Sequence, residues 1–199
     1  MTRHGTRTAG LVIVCAAAPR LLYLLLARPE FITEQWDLAT NLLRHGSLGV
    51  DGATSTRFEP LYPLLVAGAR GLVADSSLAV QVLQVLLASV AGVCLFGLTE
   101  ALTSSRRAAA FSAGLFAVYP LFIRHAADGK DIALVTLLLT AFCWSFVSAR
   151  TLAGAALAGI WLGLAILTRT MLLPLVLLMF GLMFLSREVW ESAEGSPRA

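Results

Sequence analysis

Six stretches of this chain are apolar enough, and long or nearly long enough, to cross a bilayer: roughly residues 9–27, 77–103, 108–124, 131–149, 151–168 and 170–187. A span takes about 20 apolar residues, with a range near 17–25. Lipid offers no partner to a bare backbone N–H or C=O, so each stretch must be helical. Composition agrees, at 58% hydrophobic and 14% charged, where a soluble domain has roughly 45–50% apolar and about 25% charged residues. The expectation is an all-α integral membrane protein of about six transmembrane helices. Its membrane domain covers 1–187 and a polar cytoplasmic tail covers 188–199. The fifth and sixth stretches nearly touch, which requires either a tight turn near Arg169 or one long kinked helix.

The charges give the orientation. Arg3 and Arg7 precede the first span, Arg106 and Arg107 separate the second from the third, Arg150 the fourth from the fifth, and Arg187 follows the sixth. Basic residues in short loops stay on the cytoplasmic side, so both termini are expected there. On the other side lies one long polar loop, 28–76, holding six of the twelve acids: Glu30, Glu34, Asp37, Asp51, Glu59 and Asp75. A chain that concentrates its acids in one extramembrane loop is expected to do its chemistry there.

Several function classes drop out. Cys15, Cys94 and Cys143 fall singly in three spans, and His4, His45 and His125 are dispersed, so no metal-ligand set is read. There is no Walker loop, GxGxxG, HExxH or GxSxG motif, and nothing points to nucleic acid. The first apolar run continues past Ala16-Ala17-Ala18 into more membrane sequence, unlike a cleaved signal.

Within the long loop, residues 34–45 read as a helix lying in the membrane surface, with Thr33 as N-cap, Arg44 and His45 in the last turn and Gly46 as a left-handed stop. At 100° per residue, Glu34, Asp37, Asn41 and Arg44 fall in one arc of about 80°, with Trp36, Leu38, Ala39, Leu42 and Leu43 opposite. That polar arc is either a solvated face or a carboxylate face lining a cavity. The run from Arg57 through Pro60 and Pro63 to Gly71, broken by Arg70, reads as a half-inserted or surface helix. Arg20, behind Pro19, reads as a snorkelling cation beside a kink, or as a cation aimed at a lipid phosphate. Gln81 and Gln84 read as making interhelical hydrogen bonds, and Gly159 and Gly163 as a close helix contact. Arg124, His125, Asp128, Lys130 and Asp131 form a short charged second outer loop.

Four segments resemble the N-terminal half of membrane glycosyltransferases of the GT-C fold. They are Arg20-Leu21-Leu22-Tyr23; Leu38 to Leu43 followed by His45-Gly46; Arg57-Phe58-Glu59-Pro60-Leu61-Tyr62-Pro63-Leu64-Leu65; and Gly159 through Gly163-Leu164-Ala165 to Leu167-Thr168-Arg169. Each is degenerate alone, but their order and spacing are similar to the dolichyl-phosphate-mannose-protein mannosyltransferase-like group. That group includes the bacterial aminoarabinose lipid A transferases. The likeness covers nearly the whole chain.

The resemblance implies transfer of a sugar from a polyprenyl-phosphate donor at the outer face of the membrane, the periplasmic face of a bacterial inner membrane. An acid in the first outer loop would serve as general base or as a carboxylate linked to a divalent metal. Where the family places an Asp and a Tyr ahead of its loop helix, this chain has Phe31 and Gln35. The catalytic role then falls to Glu30 or Glu34, with Asp37 as a second carboxylate, and Asp131 stands where the family has an acid opening its fourth span. Arg57, Lys130 and Arg169 would hold the donor phosphate, and Glu59 and Tyr62 would contact substrate. Family members are longer, so the resemblance also implies a truncated or split form whose missing membrane helices come from a partner chain. The alternative is a non-catalytic membrane subunit that binds a lipid-linked sugar or partner helices. A small transporter fits less well, because the charges cluster at the outer boundary rather than at mid-membrane.

Overall fold

The computed structural model describes residues 3–27, 34–50, 53–54, 59–72, 77–174, 176–178 and 181. Glu30, Asp51, Arg57, Asp75 and the tail 188–199 lie outside the described residues, as does the side chain of Glu34. Among the described residues the regular structure is helical, apart from one two-residue antiparallel pair.

The order is α1 (Arg3–Ala27), α2 (Glu34–His45), β1 (Gly49–Val50), β2 (Ala53–Thr54), α3 (Leu61–Leu72), α4 (Ser77–Thr103), α5 (Arg106–Val118), α6 (Pro120–His125), α7 (Ile132–Ser148) and α8 (Leu152–Thr168). A 3-10 turn, Thr170–Leu172, follows. By length and composition, Thr8–Ala27 and Ser77–Thr103 can each cross a membrane, whereas α7 and α8 are apolar but shorter.

α4 is the central helix and packs on α1, α5 and α7, while α8 packs on α7. α2 and α3 pack on each other, and α3 also reaches α4 and α8. One buried cluster joins these elements: Ala39, Tyr62, Val66, Val80, Leu138 and Ala165. Leu25, Leu26, Leu86 and Ile160 stay exposed on the outside of the bundle, which suits a protein whose solvent is lipid rather than water.

The two ends of the bundle differ. At one end, the guanidinium of Arg106 at the start of α5 donates to the Thr8 hydroxyl near the start of α1. Ser105 and Thr151 cap α5 and α8 there, accepting from the Ala108 and Gly154 amides. The other end gathers α2, α3, the segment between α6 and α7, and the break after α8.

The third expected span, 108–124, is not one helix. Proline disfavours helical geometry in the residue before it, and Tyr119 is extended at φ −67° and ψ 118°. Pro120 has no N–H, so the Phe116 carbonyl loses its normal i+4 donor. Arg20 replaces that donor. Its guanidinium is fully buried and donates to the carbonyls of Phe116 at 3.2 Å, Ala117 at 3.4 Å and Ala16 at 2.6 Å. It also lies 4.9 Å from the centre of the Phe116 ring. Arg20 therefore does not snorkel; it closes the end of α5.

Two other expectations change. Gly159 and Gly163 are exposed, and a Cβ added at either would touch nothing within 4 Å. Close packing falls instead at Gly97, where a Cβ would stand 2.5 Å from the Trp144 ring of α7. On α2 the buried face is Leu38, Ala39 and Asn41, while Leu43 is exposed. Asn41 turns inward because its amide donates to the Ser47 carbonyl at 3.2 Å. Gly46, at φ +67°, supplies the expected left-handed stop.

If Arg20 substitutes for the N–H that Pro120 lacks, the two residues are coupled. Arg20→Met is expected to lower stability by about 1–3 kcal/mol, the scale of an orphaned buried acceptor. The loss should shrink in a Pro120→Ala background, where a new backbone N–H at position 120 can reach the Phe116 carbonyl. Thermal unfolding of the four proteins in detergent checks this, and purely additive losses contradict it.

Candidate functional site

The segment 126–131 builds the polar end. Ala126, Ala127 and Asp128 are buried, and Gly129 sits at φ +74°, a left-handed conformation that favours glycine. Polar side chains from two other helices hold its carbonyls. Gln81 of α4 donates to the Ala127 carbonyl at 3.2 Å. Tyr62 of α3 donates to the Gly129 carbonyl at 2.6 Å. Gln84 of α4 donates to the Lys130 carbonyl at 2.5 Å and to the Tyr62 hydroxyl. Burial pushes the Tyr62 phenol well above the ordinary tyrosine range, so it stays neutral and keeps its donor proton.

Asp131 leaves this segment at the start of α7 and meets Arg169 at the end of α8. Arg169 ends α8 because its backbone is extended, at φ −148° and ψ 107°, and this interruption sits where the sequence calls for a turn or kink. Its Nε donates to one Asp131 oxygen at 2.6 Å and its Nη2 to the other at 2.8 Å. A two-point fork of this kind fixes direction as well as distance. The Asp131 side chain is 13% exposed and that of Arg169 is 43% exposed. The hydrogen bonds that Asp131 accepts hold the guanidinium more firmly protonated than usual, against burial, with the charges of Asp131 and Glu59 adding to the effect. Glu59 stands next to the pair, accepting from the Thr170 hydroxyl at 3.0 Å and the Thr170 amide at 3.4 Å.

The fork uses Nε and Nη2, and both Nη1 protons of Arg169 have no partner among the described residues. Lys130, the residue before Asp131, is half-buried, with no ion pair to any described residue. Asp128 is buried, 3.6 Å from both Arg124 and His125. Among the described residues no group of three His, Cys, Asp or Glu side chains could hold a metal.

Of the residues singled out in the sequence, Asp131, Arg169, Lys130 and Glu59 come to this one end. Asp37 is exposed on α2 and is not hydrogen-bonded to any of them. Tyr62 is there too, 2% exposed, with its hydroxyl donating to the Gly129 carbonyl and accepting from Gln84. Glu30, Arg57 and the Glu34 carboxylate lie outside the described residues. Sequence reasoning did not pair Asp131 with Arg169, nor Glu59 with Thr170, because the partners are 38 and 111 residues apart. Arg70, read as an interruption, is buried against α2. It donates to the Trp36 carbonyl at 3.1 Å and the Thr40 hydroxyl at 2.5 Å, and stacks 3.8 Å over the Trp36 ring.

The fork should be measurable as a coupling. Asp131→Asn and Arg169→Lys are each expected to lose about 1–2 kcal/mol, held down by the exposure of Arg169. The double variant should lose much less than the sum. A double-mutant cycle by chemical unfolding in detergent reads this, and zero coupling contradicts the geometry.

A family model described as dolichyl-phosphate-mannose-protein mannosyltransferase matches residues 58–194. No curated protein and no solved structure matches the chain. The matched stretch contains Glu59, Tyr62, Lys130, Asp131 and Arg169. With more than half of its residues matched, the chain belongs to the dolichyl-phosphate-mannose-protein mannosyltransferase family of GT-C glycosyltransferases.

Proposed function

We propose that this chain is a membrane glycosyltransferase that moves a sugar from a polyprenyl-phosphate donor to an acceptor at the outer face of a bacterial inner membrane. In this reading the six apolar stretches cross the bilayer, both termini are cytoplasmic and the polar end faces the periplasm. Two things support it: membership of the family and the Asp131–Arg169 fork at the end of the bundle. The fork carries the reading, because it aims a guanidinium where a phosphate can meet it.

The reaction exchanges one bond for another. The acceptor oxygen attacks the anomeric carbon, the carbon–oxygen bond to phosphate breaks, and the polyprenyl phosphate leaves with the bonding electrons. Charge grows on the leaving phosphate, and preformed cations lower the barrier when they already face it. Arg169 and Lys130 take that role, with Arg57 joining them from the loop. The acceptor proton goes to a carboxylate. Asp131 has both oxygens on Arg169, so it orients the cation, and the base is Glu30 or Glu34 in the stretch leading into α2. Glu59 contacts substrate from beside Thr170. A lipid-embedded donor also explains a site at the edge of an apolar bundle, where excluded water strengthens each charge interaction.

The second reading, a non-catalytic subunit that binds a lipid-linked sugar or partner helices, draws on one observation. At this end every acid with a described side chain is engaged or exposed: Asp131 on Arg169, Asp128 near Arg124 and His125, Glu59 on Thr170, and Asp37 exposed on α2.

Transfer of labelled sugar from a polyprenyl-phosphate pool, in membranes holding the full chain, separates the two. Wild-type transfer that falls about 10²-fold or more in Glu30→Gln or Glu34→Gln, at unchanged protein level, is the expected result for a lost general base. Asp37→Asn should stay near wild type. Absence of wild-type transfer with inserted protein and supplied donor leaves the subunit reading.

A further inference from the structure

We infer that Gln84 and Tyr62, neither of which faces the donor, are positioning residues that set the place of Lys130 and Asp131 and thereby aim Arg169. The inference deepens the proposed function and rests on it.

The argument starts from an imbalance inside the bundle. Gln84 lies in a helix apolar enough to span a membrane and is fully buried. Its amide has two N–H donors and one acceptor oxygen. The donors go to the Tyr62 hydroxyl and the Lys130 carbonyl, and the buried Oε1 is left with no partner. Flipping the amide does not relieve this, since it would set the oxygen against the Lys130 carbonyl, two acceptors face to face. An unsatisfied acceptor in an apolar interior is unfavourable, and a methionine of similar length would avoid it. Stability alone therefore gives no reason for glutamine here.

What glutamine provides is a fixed place for the next peptide. Gln84 grips the Lys130 carbonyl, and Tyr62 grips the Gly129 carbonyl one residue earlier. Gly129 occupies the left-handed turn between them. These contacts set the backbone from which Lys130 and Asp131 project, and Asp131 in turn sets two of the Arg169 nitrogens. The chain of contacts runs from α4 and α3 through the backbone of one segment to the guanidinium on α8. Displacement of about 1 Å at a positioning group can lower efficiency about 10²-fold, so a clamp on this segment acts on function more than on folding.

Gln84→Met makes the distinction sharp. It removes the orphaned Oε1 and frees the Lys130 carbonyl, one buried acceptor for another, while the Tyr62 hydroxyl loses a donor but keeps its own bond to Gly129, so thermal stability should stay close to wild type. The affinity for a polyprenyl monophosphate should nonetheless fall about tenfold. Tyr62→Phe keeps the ring in its packing and loses the grip on Gly129, and should weaken the same affinity. Because both variants loosen one segment, the double variant should lose less than the product of the single losses.

The test is binding of a polyprenyl monophosphate in mixed micelles to the purified full chain, with amide hydrogen exchange of residues 126–131 and thermal unfolding read on the same samples. Faster exchange in this segment, weakened binding and an unchanged unfolding temperature in Gln84→Met support the inference. Variants that bind as tightly as a binding wild type overturn it and leave the proposed function standing. A wild type that does not bind the lipid phosphate overturns the proposed function and this inference with it, whatever the exchange shows.

Discussion

An apolar bundle gives polar atoms nothing to bond to except each other, and this constraint governs how the chain is put together. Unpaired polar groups in lipid cost far more than in water, so the polar residues inside the bundle mark where backbone has left regular helix. Arg20 is buried because Pro120 and Tyr119 open the end of α5 and expose two carbonyls. Gln81, Gln84 and Tyr62 are buried because the segment 126–131 closes one end of the bundle without a helix to satisfy it. Arg70 is buried because α2 must be held on α3. In each case a side chain from one helix completes the backbone or a polar group of another element.

The same devices produce the site. A segment that is not helical can bring a carboxylate to the end of α8, where Asp131 meets Arg169. Asp131 opens α7 and Arg169 closes α8, so the two charges meet only because both helices stop at the same level. The resulting fork engages two guanidinium nitrogens and leaves the third without a partner among the described residues. That division of labour suits a reaction whose main demand is stabilising charge on a departing phosphate.

Much of this was legible in the sequence, and the rest was hidden for physical reasons. Apolar runs with charged breaks gave the helices, and Gly46 gave the end of α2, because both depend on residues close in the chain. The 100° periodicity of α2 put Asn41 on the wet face, and the structure turns it inward because Ser47 offers a carbonyl that periodicity does not register. Gly159 and Gly163 have the spacing of a packing motif, yet the close contact belongs to Gly97, whose neighbour Trp144 lies 47 positions away on another helix. Gln81 and Gln84 were legible as making hydrogen bonds between helices but not as donors to one particular segment. Tyr62 was legible as part of a shared segment, and only its burial shows that it holds backbone. Long-range pairing, as between Asp131 and Arg169, leaves no trace in spacing.

The central claim is that the lipid phosphate is held where α7 begins and α8 ends. A polyprenyl phosphate carrying a photoreactive group next to its phosphate, irradiated with the membrane-embedded full chain and mapped by mass spectrometry, tests it directly. The account expects labelled peptides from 126–131 and 168–172, with the yield reduced in Arg169→Ala and by competing unlabelled lipid phosphate. Labelling confined to the opposite end of the bundle, around 103–107 and 149–152, or unchanged by Arg169→Ala, would contradict it.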